Sequence, residues 1–413
     1  MKLPWVLMGG MAALVAAEQV LVARKGDADI RVDAKQIRDR RIYQRVPGSA
    51  IVEFTVPFVH GPQARQQALL VDCVGRVVPD GDRLRGANLR VWVNNLLLPR
   101  DDGYFEAIAV KLKTDCPLQV RVEVDAADGN ALDWLKNVGL MRIELNYKFY
   151  NRTPIRNGRQ EVALELADWL SLTPGTMPTV YGVTKPKVSP PLDARVIPIR
   201  THLLRPEDDF VEIIRRYIKD LAQPGDVVAI AESALAIMQG RVKNVGEIRP
   251  RFLARRLNRY FLPDSSLSSC YSCEMAMREI GVGRFVLATL AGLFGRLVGR
   301  SGDFYRVAGP DVAAIDDCTG TLAPYDKCVV MGPKNSDEVC RDVKARTGLE
   351  AAVVDANDLH KCQVLGISDP TLSQMVHDSL LDNPQGNGGE QTPIVLIRRH
   401  PAPKTLTQAA GRG

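Results

Sequence analysis

The sequence predicts an α+β protein in two parts: an antiparallel β-sandwich-like N-terminal domain followed by a mixed α+β domain. Three observations carry the prediction. From Asp29 to Leu172, short apolar runs alternate with period two and are separated by turn-forming clusters. Residues 173–194 are rich in proline (Pro174, Pro178, Pro186, Pro190, Pro191) and read as a linker. From Arg195 onward the pattern changes to strands interleaved with helices. At 413 residues the chain exceeds one ordinary core, and 46% apolar with 25% charged residues exclude a disordered chain.

Residues 1–23 read as a membrane anchor or signal segment. After Met1-Lys2 the run Leu3 to Ala17 is apolar and small, and it continues through Glu18-Gln19 to Ala23, a marginal span. Arg24, Lys25, Arg31, Lys35, Arg38, Arg40 and Arg41 follow it against one upstream lysine. This charge bias favours membrane association with the body of the chain in the cytoplasm. Val15-Ala16-Ala17 also resembles a signal-peptidase site, so export after cleavage near Ala17 is the competing expectation.

The β-rich region spans 24–172. Its expected strands are Ile51–Val59, Ala68–Val78, Leu89–Leu98, Phe105–Leu112, Leu118–Val124 and Leu140–Tyr150. Val120, Val122 and Val124 face one way and Arg121 and Glu123 the other; Met141, Ile143, Leu145, Tyr147 and Phe149 repeat the device. Pro79-Asp80-Gly81-Asp82 and Pro99 to Gly103 make turns between runs, which suggests a sandwich. No catalytic constellation stands in it, and His60 reads as structural. The region reads as an interaction or scaffolding module.

The plainest pattern in the chain runs from Arg195 to Arg241. Val196 to Ile199 is a brief strand. Pro206 with Glu207, Asp208 and Asp209 reads as a helix start, with acids where they favour the dipole. Phe210, Ile213, Ile214, Tyr217, Ile218 and Leu221 form one apolar helix face. Pro224-Gly225 ends that helix, Val227 to Ala231 reads as a buried strand, and a short apolar helix follows, ending in Gly240-Arg241. Beyond it lie an arginine-rich helical stretch, Pro250 to Phe261, and a polar patch from Ser265 to Ser272. The eleven apolar residues from Phe285 to Gly295 are too few to span a bilayer and read as a core helix, with a membrane-surface segment as the alternative. Residues 401–413 read as a disordered tail.

The net charge of +6 is carried by Arg195 to Arg306, with 18 Lys/Arg against 12 Asp/Glu. Such a segment suits phosphate groups or an anionic membrane, or is a solvated arginine-rich surface. No aromatic-interleaved basic motif accompanies it, so no nucleic-acid partner is expected. Eight scattered cysteines read as buried thiols, and Cys270-Tyr-Ser-Cys273 has no second ligand pair at zinc spacing.

Val196 to Ile199, Glu207-Asp208-Asp209, Gly225-Asp226-Val227-Val228, Gln239-Gly240-Arg241, Ala308-Gly309-Pro310-Asp311 and Val353-Val354-Asp355 together resemble the γ-glutamyl ligases that attach glutamate to the deazaflavin coenzyme F-420. The resemblance covers 195–400 and implies a γ-glutamyl-ligase-like α+β domain. It also implies amide ligation driven by GTP with Mg²⁺ or Mn²⁺, a small carboxylate substrate, and a homodimer. By the same resemblance the metal ligands are Asp311 and Asp355, and the nucleotide lies against Pro198, Ile199, Arg200, Gly240 and Arg241. Asp316, Asp317 and Asp358 stand close enough in sequence to substitute, and Glu390 is a further candidate. The catalytic residues are not assigned.

The chain departs from the family at several points. The family's Ser-Lys is Ala236-Ile237 here, its Glu is Gln239, its Asn is Val307, its Ser-Asn is Ala313-Ala314 and its Thr is Ala356. The Gly-Arg-rich loop is replaced by Asn357 to Lys361, and the run Phe285 to Gly295 is extra. Asp355, Asp358 and His360 would permit oxygen and nitrogen metal ligation or acid–base work in a rebuilt site. Two functions therefore stand: a ligase-type enzyme, or a membrane-tethered protein that uses the fold to bind or assemble a protein partner without catalysis.

Overall fold

The computed structural model describes residues 28–46, 48–62, 64–100, 102–170, 195–262, 265–318, 321–386 and 390–399. The expected anchor or signal at 1–23, the linker at 173–194 and the tail at 401–413 lie outside the described residues. The fold is α+β.

Strands β1 (Ile30–Val32), β2 (Arg38–Val46), β3 (Ser49–His60), β5 (Ala87–Asn95) and β7 (Cys116–Ala126) form one antiparallel sheet. Strands β4 (Ala68–Val77), β6 (Ile108–Val110), β8 (Leu140–Tyr150) and β9 (Arg156–Glu165) form another, in the order β6-β4-β8-β9. Both sheets feed one core. Leu118, Val120, Val122 and Val124 enter it from β7, Met141, Ile143 and Leu145 from β8, and Trp169 meets Phe54 edge-on at 5.7 Å.

The strand expectations for this half hold in place, with shorter bounds at β5 and β6. Five elements escape the sequence pattern: β1, β2, β9 and two helices. Helix α1 (Ala131–Val138) interrupts the β succession, capped by Asn130, whose side chain accepts from the Asp133 amide at 3.2 Å. It buries Ala131, Trp134, Leu135 and Val138 at helical spacing. Strands β2 and β9 pair along one side only, so their sequences, RDRRIYQRV and RNGRQEVALE, are largely polar. Helix α2 (Leu166–Leu170) closes this half.

The C-terminal half is built on a five-stranded mixed sheet in the order β10 (Val196–Ile199), β16 (Ile394–Ile397), β11 (Val227–Ala231), β14 (Glu350–Asn357), β15 (Lys361–Ile367). Only β11 and β14 pair in parallel. Val228 and Ile230 face one core and Val227 and Ala229 another, and β14 and β16 divide likewise. The central strands are therefore buried on both faces, which is why they read as continuous apolar runs. Helices α3 (Phe210–Tyr217), α4 (Glu232–Met238) and α10 (Ser336–Thr347) contribute to the first core, and α11 (Ser373–Leu380) to the second. Helix α3 begins at Phe210 with Asp209 as its cap, its side chain accepting from the Glu212 amide at 3.0 Å.

Between these halves lies a helical layer: α5 (Phe252–Leu257), α6 (Cys270–Ile280), α7 (Val282–Leu297), α8 (Asp303–Ala308) and α9 (Pro310–Ala313), with the two-stranded ribbon of β12 (Val242–Asn244) and β13 (Cys328–Val330). Phe261, Phe285 and Phe304 cluster at its centre, and Val71 and Tyr150 of the sandwich enter the same core. Polar contacts complete the joint. Buried Asp326 accepts from the Tyr104 hydroxyl at 2.6 Å and from the Ala107 amide at 2.7 Å, and Tyr150 donates to Asp317 at 3.0 Å. Among the described residues no single helix is long and apolar enough to cross a membrane; α6 and α7 pass that test only as a pair bent by 117°.

Candidate functional site

Parallel pairing of β11 with β14 creates the main cleft. Ala231 stands opposite Val354, so the next residues, Glu232 where the chain leaves β11 and Asp355 still paired to β15, stand beside each other. Both lie at strand carboxyl ends, where open sheets with parallel strands place their ligands. Glu232 opens α4, so its carboxylate also meets the positive end of that helix. Asp316 arrives from the segment after α9. Its backbone bridges Val330 in both directions, at 2.8 and 3.0 Å, which fixes it at the edge of β13.

The three carboxyls act on one another. Burial, then Asp355, then Asp316 push the Glu232 carboxyl up to about 8. Burial and Asp355 raise Asp316 to about 6, and burial raises Asp355. Asp316 and Asp355 keep exposed surface although protein surrounds them on several sides. Desolvation is the first cause for all three, and a neighbouring like charge adds to it at Glu232 and Asp316. Among the described residues, however, no three His, Cys, Asp or Glu side chains stand close enough to enclose a metal ion.

The cleft encloses about 180 Å³ and is lined on its other sides by His202, Leu204, Tyr325, Asn383, Gln385 and Thr392, among others. His202 is held in place: Nδ1 meets the Tyr217 hydroxyl at 2.8 Å, Nε2 meets the Asp208 carboxylate at 3.2 Å, and the ring stacks on Tyr217. Gln385 donates to the Pro393 carbonyl at 3.1 Å, and Tyr325 to the Leu204 carbonyl at 2.9 Å.

The residues expected from sequence are distributed as follows. Asp355 lines the cleft. Neither Asp311, in the first turn of α9, nor Asp316 is among the cleft-lining residues; Asp316 lines a separate cavity with Asp317 and Cys318, and Asp355 is near enough to raise its carboxyl. Asp317 turns toward the sandwich and Tyr150, and burial raises it to about 6. Pro198 and Ile199 pair with Val395 and Ile394 inside the sheet, and Arg200 is exposed just beyond. Gly240 takes φ of 67°, a left-handed turn. Arg241 is engaged within the fold, its Nε donating to the Gly332 carbonyl at 2.5 Å and its Nη2 lying 3.3 Å from Glu279. Asp358 accepts from Asn383 at 2.9 Å, Glu390 lies against Gly386 on the cleft rim, and His360 stands at the tip of the β14–β15 hairpin, 3.1 Å from Asp382. All eight cysteines are buried and outside any disulfide, and burial holds the Cys273 thiol well above its usual range, which makes it unreactive.

Glu232 was missed in the sequence because an acid opening a helix is ordinary there. Its signal is the register with Val354, which joins positions over a hundred residues apart. That environment predicts a pH effect. Glu232 ionises near 4.5 when unperturbed and near 8 in the fold, so between these values the folded state binds the extra proton. Stability is therefore highest below the lower value and falls as pH rises through the upper one. Glu232→Gln should flatten this slope and be more stable than the parent at pH 8 by ~1–2 kcal/mol. Urea unfolding at pH 5 and pH 8 reads this directly, and an unchanged slope would disprove the assignment.

The second half of the molecule is thus an α+β domain with an acidic cleft at the ends of its parallel strands. Residues 198–358, within the C-terminal half, match the family model described as F420-0:Gamma-glutamyl ligase. No curated protein matches the chain. Among solved structures, the crystal structure of the yeast GGA1 GAE domain–P21 is 8% identical and covers 33% of this chain and 91% of its own, with a TM-score of 0.19. The GAE domain of GGA2p from Saccharomyces cerevisiae is 8% identical over 31% of this chain and 96% of its own, with a TM-score of 0.16.

Proposed function

We propose that the C-terminal domain is a nucleotide- and metal-dependent ligase that joins an amino acid to a small carboxylate, with GTP as the phosphoryl donor. The observation that carries the reading is the placement of Glu232 and Asp355 side by side at the ends of β11 and β14, with Asp316 near enough to be raised by Asp355, in a region that matches this family. Mg²⁺ or Mn²⁺ would be held by Asp355 and Asp316, with Glu232 beside them. A pair of carboxylates would suit Mg²⁺, which keeps waters and takes only one or two carboxylates alongside substrate phosphates. When bound, the cation neutralises phosphate charge so that a carboxylate oxygen can attack phosphorus.

The protein's own groups supply the rest. His202, fixed by Tyr217 and Asp208, offers a polar wall that holds its place on binding. Glu232, raised to about 8, is suited in its ionised form to accept the proton that an incoming amine sheds as its nitrogen bonds the activated carbonyl. Leu204 and Tyr325 give the cleft an apolar side that limits water.

A second reading, a binding or assembly protein without catalysis, is favoured by one observation. None of the described residues lining the cleft is Lys or Arg, while Arg241 and Lys334 are both drawn to Glu279. Calorimetric titration of the full chain with GTP and ATP, with and without Mn²⁺, separates the two. Metal-dependent binding supports the ligase; no binding at millimolar nucleotide removes it and leaves the binding role.

A further inference from the structure

Helix α7 is apolar all round, yet only one side of it is covered. Phe285, Ala288, Thr289 and Gly295 face the core of the helical layer. On the opposite side Leu287, Leu290, Phe294 and Leu297 are 60%, 59%, 67% and 84% exposed. Their spacing makes one stripe nearly three turns long. A helix with apolar residues on every side belongs either inside a protein or against lipid. Exposed Leu262 and Tyr305 stand at a separate groove of about 280 Å³ that borders the other side of α7 at Thr289, Gly292, Leu293 and Arg296.

The surroundings are basic. Arg284 stands at the start of α7, and Arg296 and Arg300 line the groove at its end. Across 249–306 there are ten arginines (249, 251, 255, 256, 259, 278, 284, 296, 300, 306) and four carboxylates (264, 274, 279, 303). Three of those carboxylates are taken up internally: Glu274 by Arg251 and Arg278, Asp303 by Arg300 and Arg306, and Glu279 by Arg241 and Lys334. A second copy placed on this face would bring arginines against arginines. Anionic headgroups would complement them, at about 1 kcal/mol per basic residue near the surface.

We infer that the α7 face is a membrane-surface docking site, with Leu287, Leu290, Phe294 and Leu297 entering an anionic lipid leaflet and Arg284, Arg296 and Arg300 at the headgroup level. The helix lies in the surface and does not cross it. Its inner side is tied to the core, and α6, the other arm of the bent pair, is buried and carries the buried carboxylate of Glu274. One weak membrane signal gives only marginal attachment, and two give a stable one. The apolar stretch at 1–23 is a second such signal in the same chain.

The test places a reporter on the stripe, so that anchoring by residues 1–23 cannot imitate the result. The full chain carrying Phe294→Trp, or Leu287→Trp on the same face, is mixed with phosphatidylcholine vesicles containing about a third phosphatidylglycerol, a leaflet that attracts basic residues. Tryptophan emission beyond that of the parent chain should shift to the blue and be quenched by brominated acyl chains. Pure phosphatidylcholine should give much less of both. Arg296→Gln with Arg300→Gln should lower partitioning roughly tenfold. Emission that ignores vesicles in both reporters overturns the inference. So does a reporter already shielded without lipid in a chain of doubled mass, since the occupant would then be a second copy.

Discussion

Asp355→Asn should weaken metal-dependent GTP binding by roughly a hundredfold while leaving the fold intact. Asp355 ends the buried part of β14, its side chain is exposed, and its backbone pairing with Gln363 does not depend on the carboxylate. Asparagine keeps the shape and one oxygen but removes the charge a divalent ion needs. A lost charge-assisted contact is worth up to about 3 kcal/mol, which is about a hundredfold in affinity. Asp316→Asn should come close to this loss, because Asp316 and Asp355 act on the same space. Glu232→Gln should have less effect, since Glu232 is largely protonated near neutral pH. Asp311→Asn separates the assignment made by family resemblance from the one made by geometry; binding should survive it. The readouts are calorimetric titration with Mn²⁺ and GTP and the rise in melting temperature that ligand gives the parent chain. An Asp355→Asn chain that binds within about twofold of the parent would remove the carboxylate cluster from the site.

Those four acids show where sequence reasoning reaches and where it stops. Asp355 was legible because it closes a continuous apolar strand and sits in a motif shared with a known family. The strands themselves were legible for the same reason: with both faces buried, β11 and β14 can hold little but apolar residues. Choosing between Asp311 and Asp316 needed information no local pattern contains, namely the bridge from Asp316 to Val330. In the sandwich, β7 and β8 announce themselves by alternation, whereas β2 and β9 are edge strands with few buried residues and a polar composition. Helix α7 gave a mixed reading. Its apolar run suggested a core helix, with a membrane-surface segment as the alternative, and the structure buries one side and exposes the other. The pattern could not say which, because both sides carry the same chemistry.

Arg152→Ala should destabilise the protein by ~3–5 kcal/mol, a large share of a typical total of about 5–15 kcal/mol. Arg152 is 3% exposed and lies just beyond β8, where the sandwich meets the helical layer. Its Nε donates to Gln66 at 2.8 Å, and its Nη1 and Nη2 donate to the carbonyls of Arg259 and Phe261 at 2.9 and 3.0 Å. The Arg152 carbonyl in turn accepts from Asn258 at 2.6 Å, and Asn258 also donates to the Ser268 carbonyl at 2.8 Å. Truncation would strip donors from three buried acceptors and leave a cavity, and each orphaned acceptor costs about 1–3 kcal/mol. Arg152→Lys tests whether geometry or charge matters. Lysine restores the charge, but its single ammonium cannot reach all three acceptors as the planar fork does, so it should recover less than half of the loss. Urea unfolding of the full chain measures both variants, and release of the buried Cys270 and Cys273 thiols reports the helical layer separately. If the alanine variant unfolds within about 0.5 kcal/mol of the parent, the joint is held without Arg152, by the packing of Val71 and Tyr150 and the contacts to Asp326 and Asp317. If thiols are released well before the sandwich unfolds, Arg152 is the residue that makes the helical layer depend on the N-terminal half, and the acidic cleft, through Asp316 in that layer, depends on it too.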